Sequence, residues 1–259
     1  MGDAPNHRAL VSKIAAKYDV AGIVADQKKQ WKATAGFVSV WKKIISKIRF
    51  RKIDAAWAQL QDYYRTQYPG WPEKPVLFAS SINSAEAFEF TRKLQPDLVV
   101  VSGTSMIKEP MVSFPLPAGI MNLHTGLSPY VKGGPNCTNW CIANDQWGLI
   151  GNTIMWLSSG IDSGNIITSE RTDVSNETSL AAIHRNVMEH GHDLYLQAIG
   201  YVVKANPPYQ SVPQTTLGKG NLYLTKMWKA DKKKQLLRNL ERERNGSVTA
   251  EVKTIPLPA

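Results

Sequence analysis

The chain has 259 residues, 43% of them hydrophobic, enough to bury a sizeable core as one main domain with an appendage, and its formal charge is +10. No apolar run approaches the roughly 20 residues that a membrane-spanning helix needs, and Met1-Gly2-Asp3 lacks a signal-like apolar core, so a soluble, cytoplasmic protein is expected. The two cysteines, Cys137 and Cys141, form neither a four-ligand zinc set nor a disulfide framework. They read as small core residues in a reducing compartment.

In chain order, residues 2–6 and the helical run 8–17 look like the loop and helix that normally follow a first strand, yet no strand precedes Gly2. In a sheet wound this way that strand is internal, and its absence would leave two neighbours with unpaired backbone groups. Either the start codon is assigned too late, or the chain is truncated, or the gene product is divergent. Residues 20–24 read as a strand. Residues 28–52 then hold nine Lys/Arg and no acidic residue, and Phe37, Trp41, Ile44, Ile45 and Ile48 recur at helical spacing. A basic amphipathic helix over 37–52 has the pattern of segments that contact a membrane surface peripherally, RNA or an anionic substrate; it equally fits a solvated helix packed on its own domain.

Residues 76–79 and 97–102 read as strands, the second buried on both faces. Between them Asn83 and Glu86 suggest a capping box for a helix running to Leu94, ended by Pro96. Residues 120–124 form the next strand, 136–145 a helix, 152–157 and 166–170 two more strands, and 178–203 a long helix with an apolar stripe at Leu180, Ile183, Val187 and Leu194. Strands alternating with helices predict an α/β fold with a mostly parallel sheet flanked by helices. Residues 1–203 would be the catalytic domain. Residues 204–259 read as a tail with one helix over 231–244, an ordinary exposed helix with intrahelical charge pairs.

The chemistry concentrates in Asn122-Leu123-His124, which leads into the turn Gly126-Leu127-Ser128-Pro129-Tyr130-Val131-Lys132-Gly133-Gly134 and is answered by Gly160-Ile161-Asp162-Ser163-Gly164. An amide donor, an imidazole and a carboxylate are what acyl transfer to an amine requires when the protein offers no nucleophile. Asn122 and His124 are two apart on a strand and share a face, at the strand end where ligands gather in open α/β sheets. Cys137, Cys141, Ser128 and Ser163 are then spectators. His190 and His192, two apart on one helix, do not face each other and have no metal-ligand spacing; His7 sits in the first loop, and no metal is expected.

In this order and spacing, the Asn-x-His pair, the turn at Leu127, Pro129, Lys132 and Gly133, the Gly-x-Thr at Gly151 and Thr153, and the Asp-x-Gly-x-Ile at Asp162, Gly164 and Ile166 resemble the catalytic domain of the 10-formyltetrahydrofolate-dependent formyltransferases. That family includes methionyl-tRNA, glycinamide ribonucleotide and sugar N-formyltransferases, and it usually has arginine where Lys132 stands. The resemblance implies a Rossmann-like formyltransferase fold, here lacking its first strand, and 10-formyltetrahydrofolate as formyl donor. It implies that Asn122 and His124 donate to the developing oxyanion while Asp162 orients His124, favours its protonated form and helps to move the proton. Folate would lie along Thr104, Met106 and Ile107 and against Leu157 and Ile161. The acceptor would meet Asn6, Pro129, Lys132 and Gly133.

For the acceptor, the resemblance favours a primary amine on an amino sugar carried by a nucleotide diphosphate, with Lys and Arg near the cleft pairing the phosphates. Glycinamide ribonucleotide and methionyl-tRNA are the alternatives. tRNA is disfavoured because methionyl-tRNA enzymes carry a β-rich C-terminal domain, for which residues 204–259 lack the strand patterns. No DNA partner is expected, and a homodimer is allowed. A reading of a different class is a catalytically silent formyltransferase-like domain that binds a ligand, membrane or partner.

Overall fold

The computed structural model of the protein describes residues 1–27, 48–242 and 252–258. Helix α1 (Pro5–Ala15) begins three residues before the predicted run, because Pro5 presets the helical φ at the first turn, where its missing N–H is not needed. Strand β1 (Ile23–Asp26) starts later than expected. The preceding backbone presses on a helix instead: a Cβ on Gly22 would fall 2.5 Å from Leu94. Most of the predicted basic helix 37–52 lies outside the described residues. Helix α2 (Arg51–Gln67) buries Ile53, Ala56, Leu60 and Tyr64 along one face.

Strand β2 (Val76–Ala79) pairs parallel with β1. Helix α3 (Ala85–Leu94) is capped by Ser84, whose hydroxyl accepts from the Ala87 amide, and not by the Asn83–Glu86 box; Gln95 ends it in a left-handed turn (φ 46°) before Pro96. There follow β3 (Leu98–Ser102), β4 (Gly119–His124), β5 (Val131–Gly133), α4 (Cys137–Ala143), β6 (Gly151–Trp156), β7 (Ile166–Arg171), α5 (Leu180–Lys204), β8 (Asn221–Tyr223) and α6 (Ala230–Leu240).

Four strands form one sheet in the order β3-β4-β6-β7. β3 and β4 run parallel, as strands joined by a long crossover can, whereas β6 and β7 are antiparallel to their neighbours. The connection 157–165 contains no helix, so the chain turns straight back on itself. Strands β1 and β2 form a separate pair. Between the two pieces lie Met1 and Gly2: the Met1 N donates to Val24 O (2.9 Å), the Asp26 N–H to Met1 O (2.8 Å) and the Gly2 N–H to Ser102 O (2.9 Å). These bonds supply part of the pairing that a full strand at that place would make.

The main core lies between the sheet and helices α1 and α5, where Leu10, Val11 and Ile14 meet Leu194, Tyr195 and Ile199 over Met121, Leu123 and Ile154. Each such side chain contributes about 1.5–3 kcal/mol by leaving water. A second cluster surrounds α4, with Trp140 and Ile142 against Ile183 and Val187 of α5 and Leu236 of α6. Cys137 and Cys141 are buried there as free thiols. The segment after α5 returns across the molecule. Val212 exchanges two 2.8 Å backbone bonds with Ile166, the Ser169 amide donates to Ile255 O, and β8 runs parallel to β5. The outer edge of β7 is thereby covered. Among the described residues, no helix is long and apolar enough to cross a membrane.

Candidate active site

A cleft of about 480 Å³ opens at the carboxyl ends of β3 and β4, and Asn122, His124 and Asp162 all line it. Strand alternation brings the first two to the same face, and the register sets their depth: Asn122 lies opposite Met155 and His124 opposite Thr153. Thr153 also fixes the turn that follows β4, since its hydroxyl accepts from the Ser128 amide (3.0 Å) and donates to Gly126 O (2.7 Å). Gly126 must be small because a Cβ would stand 2.5 Å from His124 Nε2.

His124 is buried, with Nε2 3.0 Å from Val131 O and Nδ1 3.3 Å from Asp162 Oδ2. Both neighbours are pure acceptors, so the ring satisfies them only as an imidazolium, donating from both nitrogens. Burial alone would pull its pKa down, but the Asp162 carboxylate, with Cys137 Sγ at 3.6 Å and the Val131 carbonyl, pushes it up to about 10. This geometry differs from an imidazole aimed freely at the substrate, because Nε2 is committed to the backbone. Nδ1 faces the carboxylate side.

Asp162 carries a φ of +45°, a left-handed conformation uncommon for a residue with a side chain, and such strain persists where the surroundings over-determine it. Its Oδ2 also accepts from the Gly133 amide at 2.8 Å. The loop around it is pressed inward, since a Cβ on Gly164 would fall 1.7 Å from Trp156 O. The carboxylate therefore sits where it can both hold His124 and face the cleft.

Of the residues expected to hold folate, Thr104, Met106, Ile107, Leu157 and Ile161 all line the cleft, with Ile107 buried and Met106 and Ile161 exposed at its rim. The 104–107 segment is fastened by two polar side chains. Asn83, read as a cap, instead donates to Met106 O (2.9 Å) and accepts from the Lys108 amide (2.8 Å), while the Asp26 carboxylate accepts from the Ser105 amide (2.6 Å).

Of the residues expected to meet the acceptor, Gly133 lines the cleft, while Lys132 precedes it on β5 and Pro129 is buried in the turn. Asn6 lies elsewhere. It is buried between α1, α2 and α5, accepting from Gln61 Nε2 (3.2 Å) and lying 3.8 Å from Met188 Sδ, because the helix start at Pro5 turns it inward. No Lys or Arg is among the described residues of the lining.

His184 and His192 are buried within α5 and burial holds both below the ordinary histidine range, His184 to about 4. His190 bridges Glu170 Oε2 (3.1 Å) and Thr172 Oγ1 (2.7 Å), outside the cleft lining. Sequence reading missed the wall made by Tyr223, Leu224 and Thr225, which comes from far along the chain. Tyr223 is locked by stacking on Trp140 (4.4 Å between centroids) and by a 3.0 Å bond from Asn144 to its hydroxyl. Gly133, at φ +88°, lets β8 come this close: a Cβ there would lie 2.1 Å from Tyr223 O.

A family model described as Formyl transferase matches residues 24–199. Methionyl-tRNA formyltransferase of Syntrophus aciditrophicus is 32% identical over 126 residues, 48% of this chain and 39% of that protein. That of Clostridium tetani is 31% identical over 120 residues, 46% of this chain and 38% of that protein, so the match spans less than half the length of these relatives. Among solved structures, an N-formyltransferase of Helicobacter canadensis, described as a complex with folinic acid and dTDP-3-aminofucose, superposes with a TM-score of 0.56 at 13% identity over 92% of this chain and 78% of that one. Phosphoribosylglycinamide formyltransferase of Bacillus halodurans gives 0.53 at 19% identity, over 80% of this chain and 95% of that one. These two share the fold.

Proposed function

The chain belongs to the formyl transferase family, and from that premise we propose that it transfers a formyl group from 10-formyltetrahydrofolate to a primary amine. The observation that carries the reading is the convergence of Asn122, His124 and Asp162 on one cleft, with the carboxylate 3.3 Å from the imidazole. Attack by an amine on a formyl carbon makes a tetrahedral centre whose oxygen becomes negative while the nitrogen must lose a proton. The Asn122 amide donates to that oxygen, and removing such a donor elsewhere has slowed catalysis roughly 100- to 1000-fold. The imidazolium of His124 places positive charge beside the site. Asp162 accepts the proton from the attacking nitrogen, directly or through one water. Holding both substrates in register supplies much of the remaining rate.

For the acceptor we favour an amino sugar on a nucleotide diphosphate. The Helicobacter canadensis structure, described with such a ligand, superposes over nearly the whole chain, and the Tyr223–Thr225 wall offers apolar surface and one stacked ring beside the reacting groups. With no cation in the described lining, the phosphates would lie toward Lys132 and the rim. The sequence identity to methionyl-tRNA formyltransferases supports a second reading, in which the amine is that of an aminoacyl-tRNA.

The test is incubation of the purified protein with 10-formyltetrahydrofolate and nucleotide-linked amino sugars, glycinamide ribonucleotide and methionyl-tRNA in turn, following release of tetrahydrofolate. Release with one acceptor, lost in His124→Ala, is expected. Absence of release with every amine would overturn the proposed reaction, and release with methionyl-tRNA alone would overturn the sugar.

A further inference from the structure

We infer that Gln214, far outside the sequence motifs, is a positioning residue that holds the Asp162 loop in its working geometry. The inference rests on the proposed reaction for its kinetic consequence, but not for its structural one. Val212 pairs with Ile166 in both directions, and Pro213 leads into the short turn Gln214–Thr216. The Gln214 side chain is thereby delivered beneath the loop, where it is buried. Its Nε2 donates to Asp162 O and to Gly164 O, both at 2.8 Å.

The orientation of this amide is fixed by chemistry. Two carbonyl oxygens demand two N–H donors, and turning the amide over would set Oε1 against both. Oε1 is left buried without a hydrogen-bond partner, an unfavourable arrangement for any amide. The two carbonyls that Nε2 binds flank Ser163 and belong to the part of the loop that carries the left-handed Asp162. The carboxylate itself is held by the Gly133 amide at 2.8 Å and by His124 Nδ1 at 3.3 Å. Gln214 thus fixes the aspartate backbone, and the side-chain contacts fix its Oδ2. Without the first, the backbone can relax out of the left-handed region and withdraw the carboxylate from His124.

Two near-isosteric variants, Gln214→Met and Gln214→Glu, remove the paired donors, and Gln214→Asn draws them back by one methylene. The readouts are kcat and KM for formyl transfer, thermal unfolding, and the titration of His124 followed by NMR with labelled histidine. The groups facing His124 are Asp162, Cys137 Sγ and the Val131 carbonyl, of which only Asp162 is reached by Gln214. In whichever of the three variants fold, kcat should fall on the order of 100-fold, the loss expected for a misplacement near 1 Å, with KM changed less than about 3-fold, and the His124 titration should move down toward the ordinary histidine value. Unchanged His124 titration in a folded variant overturns the inference whatever the activity does. If the wild type transfers no formyl group yet the titration still moves, the clamp stands and the proposed reaction falls.

Discussion

The four-stranded sheet and the β1–β2 pair belong to the same α/β layer, yet they are fastened very differently. Strands β3, β4, β6 and β7 are joined by extended ladders, interrupted once in β6–β7 by a register shift at Ile154/Met155, and covered at the β7 edge by the returning segment, and all three proposed catalytic side chains lie on β4 or on the loop between β6 and β7. The β1–β2 pair is tied to that sheet by the backbone bonds of Met1 and Gly2 in place of a ladder, with Ile23 and Val76 packed on the core beside Met121 and Leu123. It reaches the cleft through Asp26 and the nearby Asn83, which hold the 104–107 segment. The lesson is a division of labour. The four-stranded sheet sets the groups proposed to react, and the β1–β2 pair supports the 104–107 wall of the cleft.

The largest separation of the two regions is expected from Asp162→Asn. Removing the proposed proton acceptor should lower kcat by about 100- to 10,000-fold, with exchange in β1–β2 unchanged while thermal unfolding shifts down because the buried His124 loses its ion-pair partner; a variant retaining wild-type kcat would remove Asp162 from the chemistry.

A smaller effect, confined to the other region, is expected from Gly2→Val. A Cβ at Gly2 would stand 2.8 Å from Gly103 O, so overpacking should destabilise by about 1–3 kcal/mol. Amide hydrogen exchange should accelerate in β1 and β2 while β4 and β6 keep their protection. Equal acceleration in both sheets would mean that they open as one unit.

The mildest test is pH. The folded pKa of His124 is raised from 6.5 to about 10, so its contribution to stability is complete below about pH 6.5 and is lost as pH rises through about 10. That of His184 is lowered to about 4, so its contribution is complete above about 6.5 and is lost as pH falls through about 4. Both residues belong to the main body. Urea midpoints should decline on both sides of neutrality, His124→Gln flattening the alkaline side and His184→Gln the acid side. A wild-type midpoint that is constant from about pH 6.5 to 10 would contradict the ion pair.

Much of the site was legible along the chain because its chemistry is local. Asn122 and His124 share a face by strand alternation alone, and the glycines at 126, 133 and 164 mark close approaches that the structure contains. What sequence reading placed wrongly was decided at helix starts, where one residue changes the direction of a side chain. Pro5 begins α1 early and buries Asn6, and Ser84 takes the cap that releases Asn83 for the loop at Met106.

By itself, then, the sequence determined the α/β layering, the motif residues and the order of most elements, though not α2, β5 or β8, because period, caps and turns act over a few residues. Only the tertiary structure decided that the stretch after α5 folds back to build a wall from Tyr223 to Thr225 and to place Gln214 under Asp162, and that Met1 and Gly2 lie between two sheets. Those contacts join segments far apart in the chain. They depend on strand register and on the closeness that particular glycines permit, and no local pattern encodes either.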